Sequence, residues 1–178
     1  MEQNVNVWKS NLTNGLIMGL IGIVFSLVVY FLDLTFNKSI GYIFLLISVF
    51  LLYYFIKSYR DNYLHGQITY GQSVGAGVII FLYYAIISSL FTYILYTVID
   101  TDLTNKLLAY TEEQTIKSGK VPEGSMDTVM AFQKKFLKPA ILVPMGFITN
   151  MLFGTIISLI VSIFTKKEGN PLIETPSN

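Results

Sequence analysis

Arg60, Asp61 and His65 fall within one short connector, 58–77, between two long apolar runs. They include the only arginine and the only histidine of the chain. A planar guanidinium suits a phosphate, a lipid headgroup or a carboxylate. A histidine can change charge near neutral pH. Together at a membrane boundary the three could serve an interfacial lipid-linked enzyme or bind a partner. The plainer roles are an anchor that snorkels to the headgroups for Arg60 and a polar loop residue for His65. Asp33 and Asp100 flank apolar runs at the other boundary. Paired carboxylates can hold a cation or share a proton, whereas single ones are solvated helix ends. Asn150 lies inside the last apolar run, as a solute contact or as a hydrogen-bonding residue between helices.

No further catalytic constellation is legible. One histidine cannot make a His-pair metal site, and the lack of cysteine excludes disulfides, Cys-zinc sites and thiol catalysis. The sequence contains no H-E-x-x-H, G-x-S-x-G, P-loop or G-x-G-x-x-G. No cofactor and no metal are expected.

These residues must be positioned by membrane helices. The 178 residues are 53% apolar and 13% charged, about half the ~25% charge of an average soluble domain. A net charge of +1 gives no reason to expect a nucleic-acid partner. Crossing a ~30 Å hydrocarbon core takes about 20 mostly apolar residues. Four segments meet that, at about 14–36, 40–58, 70–99 and 140–165. Their continuous apolar character excludes a barrel, whose strands would alternate. The first run is too long for a signal-peptide core and lacks a small-residue cleavage site, so it reads as a retained span. The expected fold is all-α: a single integral domain, 1–178, built as a four-transmembrane-helix bundle.

The third connector differs from the others. Residues 100–139 carry six acids and six lysines. Asp100 or Asp102 can start a helix that Gly119 ends, and Ser125 can start a second. Met126, Val129, Met130, Gln133, Phe136 and Leu137 then share one helical face, with Pro139 as the stop. An extramembrane helical hairpin follows, its apolar face laid on the membrane surface or on the bundle.

Small residues indicate how the spans pack. Gly15, Gly19 and Gly22 lead on to Ser26 and Tyr30 in the first span. Gly71 and Gly75 open the third. Gly146, Asn150, Gly154, Ser158 and Ser162 recur at every fourth position of the last. Such spacing lets backbones approach closely. In the connector itself, Thr69 and Gln72 fit a reciprocal helix cap, and Gly66 fits a tight turn.

The motifs Tyr59-Arg60-Asp61, Gly66-x-Ile68-Thr69-Tyr70-Gly71-Gln72, the glycines opening span 3 and the exit Ile99-Asp100-x-Asp102 occur in one order with the four spans and the long helical connector. In this the chain resembles the domain of unknown function 4199 family, small four-span bacterial membrane proteins found mainly in Bacteroidetes. Thr101 stands where members often have proline, and Gln72 where many have glutamate. Gln72 keeps the cap but lacks a carboxylate for catalysis. The resemblance implies a bacterial inner membrane and supplies no activity. The sequence therefore favours a non-catalytic membrane protein in contact with the bilayer, acting as an accessory subunit with a protein partner or as a homo-oligomer. A small-solute or ion channel or transporter subunit acting as an oligomer, and an interfacial lipid-linked enzyme or its accessory, are the alternatives.

Lys57, Arg60, Lys166 and Lys167 crowd the short flanks of one side, which favours cytoplasmic termini and an external hairpin. The raw count of positive residues runs the other way, because the long connector is lysine-rich. Positives directly beside the spans weigh more. A C-terminal reporter is expected to be active in its cytoplasmic form only; activity confined to the periplasmic form would reverse the orientation.

Overall fold

The computed structural model describes residues 5–168, apart from the side chain of Glu123. Its long helices are α1 (Val7–Phe31), α2 (Lys38–Tyr63), α3 (Tyr70–Ile94) and α6 (Pro139–Thr165). The connector between α3 and α6 carries α4 (Leu103–Ser118) and α5 (Met126–Phe136). All four long helices are apolar and long enough to cross a membrane, α3 together with the π-helical turn Leu95–Ile99 that extends it. Their outward faces carry Leu20, Phe31, Phe50, Leu90, Leu152 and Phe164, each more than half exposed. That surface suits hydrocarbon rather than water.

The helix ends follow from local chemistry. The Asn6 side chain accepts from the amides of Trp8 and Lys9, so α1 starts at Val7, a turn or two before the apolar run. It stops at Phe31, short of 36, where Asp33 takes a left-handed φ of 57°. Asn37 caps α2 through the Ser39 amide. α2 then runs on to Tyr63, which places Arg60 and Asp61 on its last turns rather than in the connector. Thr69 and Gln72 form the reciprocal cap of α3, at 3.3 and 3.0 Å. Gly119, with φ 61°, ends α4. α5 stops before Pro139, which opens α6, where the missing amide is harmless. Pro144 lies inside α6.

α3 is the centre of the bundle, packed most extensively against α6 and α1. On one side it meets the glycines of α1. A methyl group added at Gly19 would lie 2.6 Å from Ile87 Cδ1, and one at Gly22 2.7 Å from Tyr84 Cε2; Gly15 meets Tyr83 as tightly. On its other side α3 meets α6: Gly77 against Ser158, and Gly154 against Phe81. Gly71, Gly75 and Gly146, which share the same spacing, have nothing within 4 Å. The close approach on α3 falls at Gly77, flanked by buried Ser73 and Ala76. α2 closes the core by inserting Leu52, Phe55, Ile56 and Tyr59 beside Met18, Ile80, Ile157 and Val161.

The hairpin differs in one detail from its sequence pattern. Met126, Val129, Met130, Gln133 and Leu137 are half-buried, and Gln133 donates to the Thr115 hydroxyl of α4 at 3.5 Å. Phe136 leaves that face; it pairs with Phe132 at a ring separation of 4.7 Å, and both are exposed.

Overpacking a tight contact typically costs about 1–3 kcal/mol. Gly154→Ala is therefore expected to lower the melting temperature in detergent. Gly71→Ala should leave it unchanged or raise stability by up to about 1 kcal/mol through helix propensity. Equal melting temperatures for the two variants would contradict this packing.

Candidate functional site

The bundle has two ends of different character. At the end that holds Trp8 and the α2–α3 connector, a dense latch forms. Arg60 Nη1 donates to the Thr165 carbonyl at 3.1 Å, and its Nε donates to Asp61 Oδ1 at 2.7 Å. Arg60 thus caps the last turn of α6, where a cation favours the exposed carbonyls. Its side chain is 15% exposed, whereas that of Asp61 is 44% exposed. Below it the Thr165 and Ser73 hydroxyls meet at 2.6 Å, and both residues are buried. Ile68 and Lys167 exchange two backbone hydrogen bonds of 2.9 Å, joining the connector to the tail of α6.

His65 lies on the outside of this latch. It takes a left-handed φ of 54°, followed by Gly66 at 80°, and its side chain is exposed. Among the described residues no hydrogen bond or ion pair joins it to Arg60 or Asp61. The three are neighbours in sequence, but among the described residues only Arg60 and Asp61 are joined. Arg60 binds a carbonyl and a carboxylate of its own chain through Nη1 and Nε.

At the hairpin end the chemistry gathers on Asp100, whose side chain is only 8% exposed. Lys106 Nζ donates to Oδ2 at 2.7 Å, the Tyr30 hydroxyl donates to the same oxygen at 3.2 Å, and the Asp102 amide donates to Oδ1 at 3.1 Å. One carboxylate therefore ties α1, the end of α3 and the start of α4 together. Leu103 is buried beside it, and Phe36 stacks on Tyr110 at 5.1 Å. The Lys106 ammonium holds the Asp100 carboxyl below its ordinary range, and the Tyr30 hydroxyl adds to this. In turn, Asp100 pushes the ammonium of Lys106 up. Asp33 lies exposed on the nearby turn, and no hydrogen bond joins it to Asp100 among the described residues. The described residues include no group of three or more His, Asp or Glu able to hold a metal ion.

Between α1, α2 and α3 a cavity of about 250 Å³ opens toward the hairpin end. Ser26 and Tyr30 line it from α1, Ser88 and Thr92 from α3, and Phe44 from α2. Sequence reasoning noted Ser26 and Tyr30 only as a continuation of the glycine row. It missed the partners on α3, because their meeting depends on the helix pairing. Lys106 was equally hidden: the turn between Asp100 and Lys106 breaks helical periodicity, so no spacing rule couples them. Asn150 lies on α6, half exposed. The side-chain hydrogen bonds made by α6 residues run through Thr155, Ser158 and Thr165, and Asn150 takes part in none of them.

Fold and site define a four-span α-helical membrane protein with an ion pair, its aspartate buried and its lysine half exposed, at the base of a helical hairpin. The family model described as protein of unknown function (DUF4199) matches residues 13–167, and the chain belongs to that family. Searches of curated proteins and of solved structures returned no match.

The ion pair has a definite pH dependence. A depressed carboxyl contributes stability that is complete above its unfolded value and is lost as pH falls through the folded value. A raised ammonium contributes stability that is complete below its unfolded value and is lost as pH rises through the folded one. The α4 attachment is therefore expected to be firm at neutral pH and to loosen in acid. Hydrogen exchange of 103–118 should accelerate severalfold as the carboxyl titrates. Asp100→Asn should already be fast at neutral pH, with little further response to acid. Superimposable profiles for the two proteins would refute the linkage.

Proposed function

We propose that the protein is a non-catalytic integral protein of the bacterial inner membrane. It acts as an interaction subunit that pairs with a second copy of itself through the hairpin half of α6. The observation that carries this is Asn150. It stands eleven residues from one end of α6 and fifteen from the other, so it lies near mid-bilayer when the helix spans. An amide without a partner is costly in hydrocarbon, and polar residues at that depth face protein or a cavity far more often than lipid. The small-residue row of α6 divides at this point. Gly154, Ser158 and Ser162 are buried, whereas Gly146 has open space above it. In a twofold pair each Asn150 can meet its counterpart, with Gly146 allowing the backbones to approach. Cytoplasmic termini and an external hairpin complete this picture, supported by the positives gathered at the latch end.

A conducting path through one copy finds no support in the packing. The polar cavity lies at the hairpin end, and the core beyond it is apolar, built from Met18, Leu52, Ile56 and Ile80. An interfacial enzyme finds none in the separation of His65 from Arg60.

The chain contains no cysteine, so single cysteines report proximity cleanly. Asn150→Cys in native membranes is expected to give an oxidant-dependent dimer. Phe50→Cys, on the lipid-facing side of α2 at 73% exposure, should remain monomeric. Asn150→Leu should weaken association roughly tenfold, the loss of about 1–2 kcal/mol of interhelical hydrogen bonding. A monomeric Asn150→Cys protein, or equal cross-linking at both positions, would remove the basis for this function.

A further inference from the structure

The cavity between α1, α2 and α3 has a depth and a chemistry of its own. It extends along α3 from Tyr84 to Leu95, about 16 Å at the helical rise. That is roughly half of a ~30 Å hydrocarbon core, the depth of one leaflet. Among the described residues no charged side chain lines it. The nearest charges, on Asp100 and Lys106, are paired with each other, and the Tyr30 hydroxyl that reaches the cavity is already bonded to Asp100. A charged ligand would therefore be desolvated without compensation.

A wholly apolar ligand fits equally badly, because hydroxyls face the space. Ser26 lies one turn from Tyr30 on α1, and Ser88 one turn from Thr92 on α3. In membrane helices such hydroxyls commonly bond back to the carbonyl one turn earlier. Thr97, Thr155 and Ser158 do so here, at 2.6–2.8 Å. The Ser26 and Thr92 hydroxyls take no part in any side-chain hydrogen bond among the described residues, so both remain open to a ligand. Aromatic walls from Phe25, Phe44 and Phe91 supply the apolar complement.

We propose that this cavity binds an uncharged membrane lipid whose head carries hydroxyl or carbonyl oxygens. The head bonds to Ser26 and Thr92, and the body lies against the phenylalanines. Two sources share that chemistry, a glyceride with a free hydroxyl and an isoprenoid quinone. The site is independent of the α6 pairing, which involves another face.

Full-length protein in phosphatidylcholine nanodiscs is titrated with dioctanoylglycerol, with a decyl-substituted benzoquinone, and with dioctanoyl phosphatidate as the charged control. At least one neutral probe is expected to bind saturably, and the one that binds identifies the source. Phosphatidate should bind at least about tenfold more weakly. The variant Ser26→Ala/Thr92→Val should weaken the neutral probe about tenfold through two lost hydrogen bonds, with the melting temperature of the free protein unchanged. If that pair lowers the yield, Thr92→Val alone keeps the side-chain shape and should cost about threefold. Absence of saturable binding by both neutral probes, equal binding of phosphatidate, or unchanged affinity in the hydroxyl variants would each overturn the assignment.

Discussion

α3 is held between two rows of small residues, and the rest of the structure depends on that double contact. Lipid gives helices no hydrophobic reason to associate, so close backbone approach and side-chain fit must hold them. Gly15, Gly19 and Gly22 receive Tyr83, Ile87 and Tyr84 on one side, while Gly154 receives Phe81 and Ser158 packs on Gly77 on the other. These contacts run from the end that holds Trp8 to the middle of the bundle, where Gly22 and Tyr84 already border the cavity. α2 then needs only to insert its own large residues into the remaining gap.

Toward the hairpin both rows change character. On α1 the glycines give way to Ser26 and Tyr30, and the space between α1 and α3 widens into the cavity. On α6 the row passes to Asn150 and Gly146, and at Gly146 the space beside the helix is open. α3 itself loosens into a π-helical turn before Asp100, a feature that often accompanies functional sites in helices. The bundle is thus tight at one end and open at the other, and the hydroxyls of Ser26, Ser88 and Thr92 face the open half. Asp100 closes the open end. A single carboxylate fixes the exit of α3, the hydroxyl of Tyr30 and the first turn of α4.

Arg60 shows what geometry adds to residue type. The only arginine of the chain, next to an aspartate and near the only histidine, has the composition of a site. Its geometry is that of a helix cap. The guanidinium satisfies a carbonyl of α6 that no intrahelical amide can reach. α2 runs through Tyr63, which turns Arg60 toward α6 and leaves His65 on the outer side of the turn.

The sequence by itself determined the four long apolar helices, the hairpin between the third and the last, the Thr69–Gln72 cap and the family. Each is a local property: hydropathy over twenty residues, a capping pair three apart, a left-handed glycine, a set of motifs in order. Only the tertiary structure decided which small residues are contacts. Gly19 and Gly71 carry the same spacing signal, yet one touches a neighbour and the other faces open space. Only the tertiary structure could bring Lys106 and Tyr30 onto Asp100, or set Ser26 opposite Thr92. Periodicity identifies the face of a helix but not what lies against it, because in a membrane both lipid and protein are apolar.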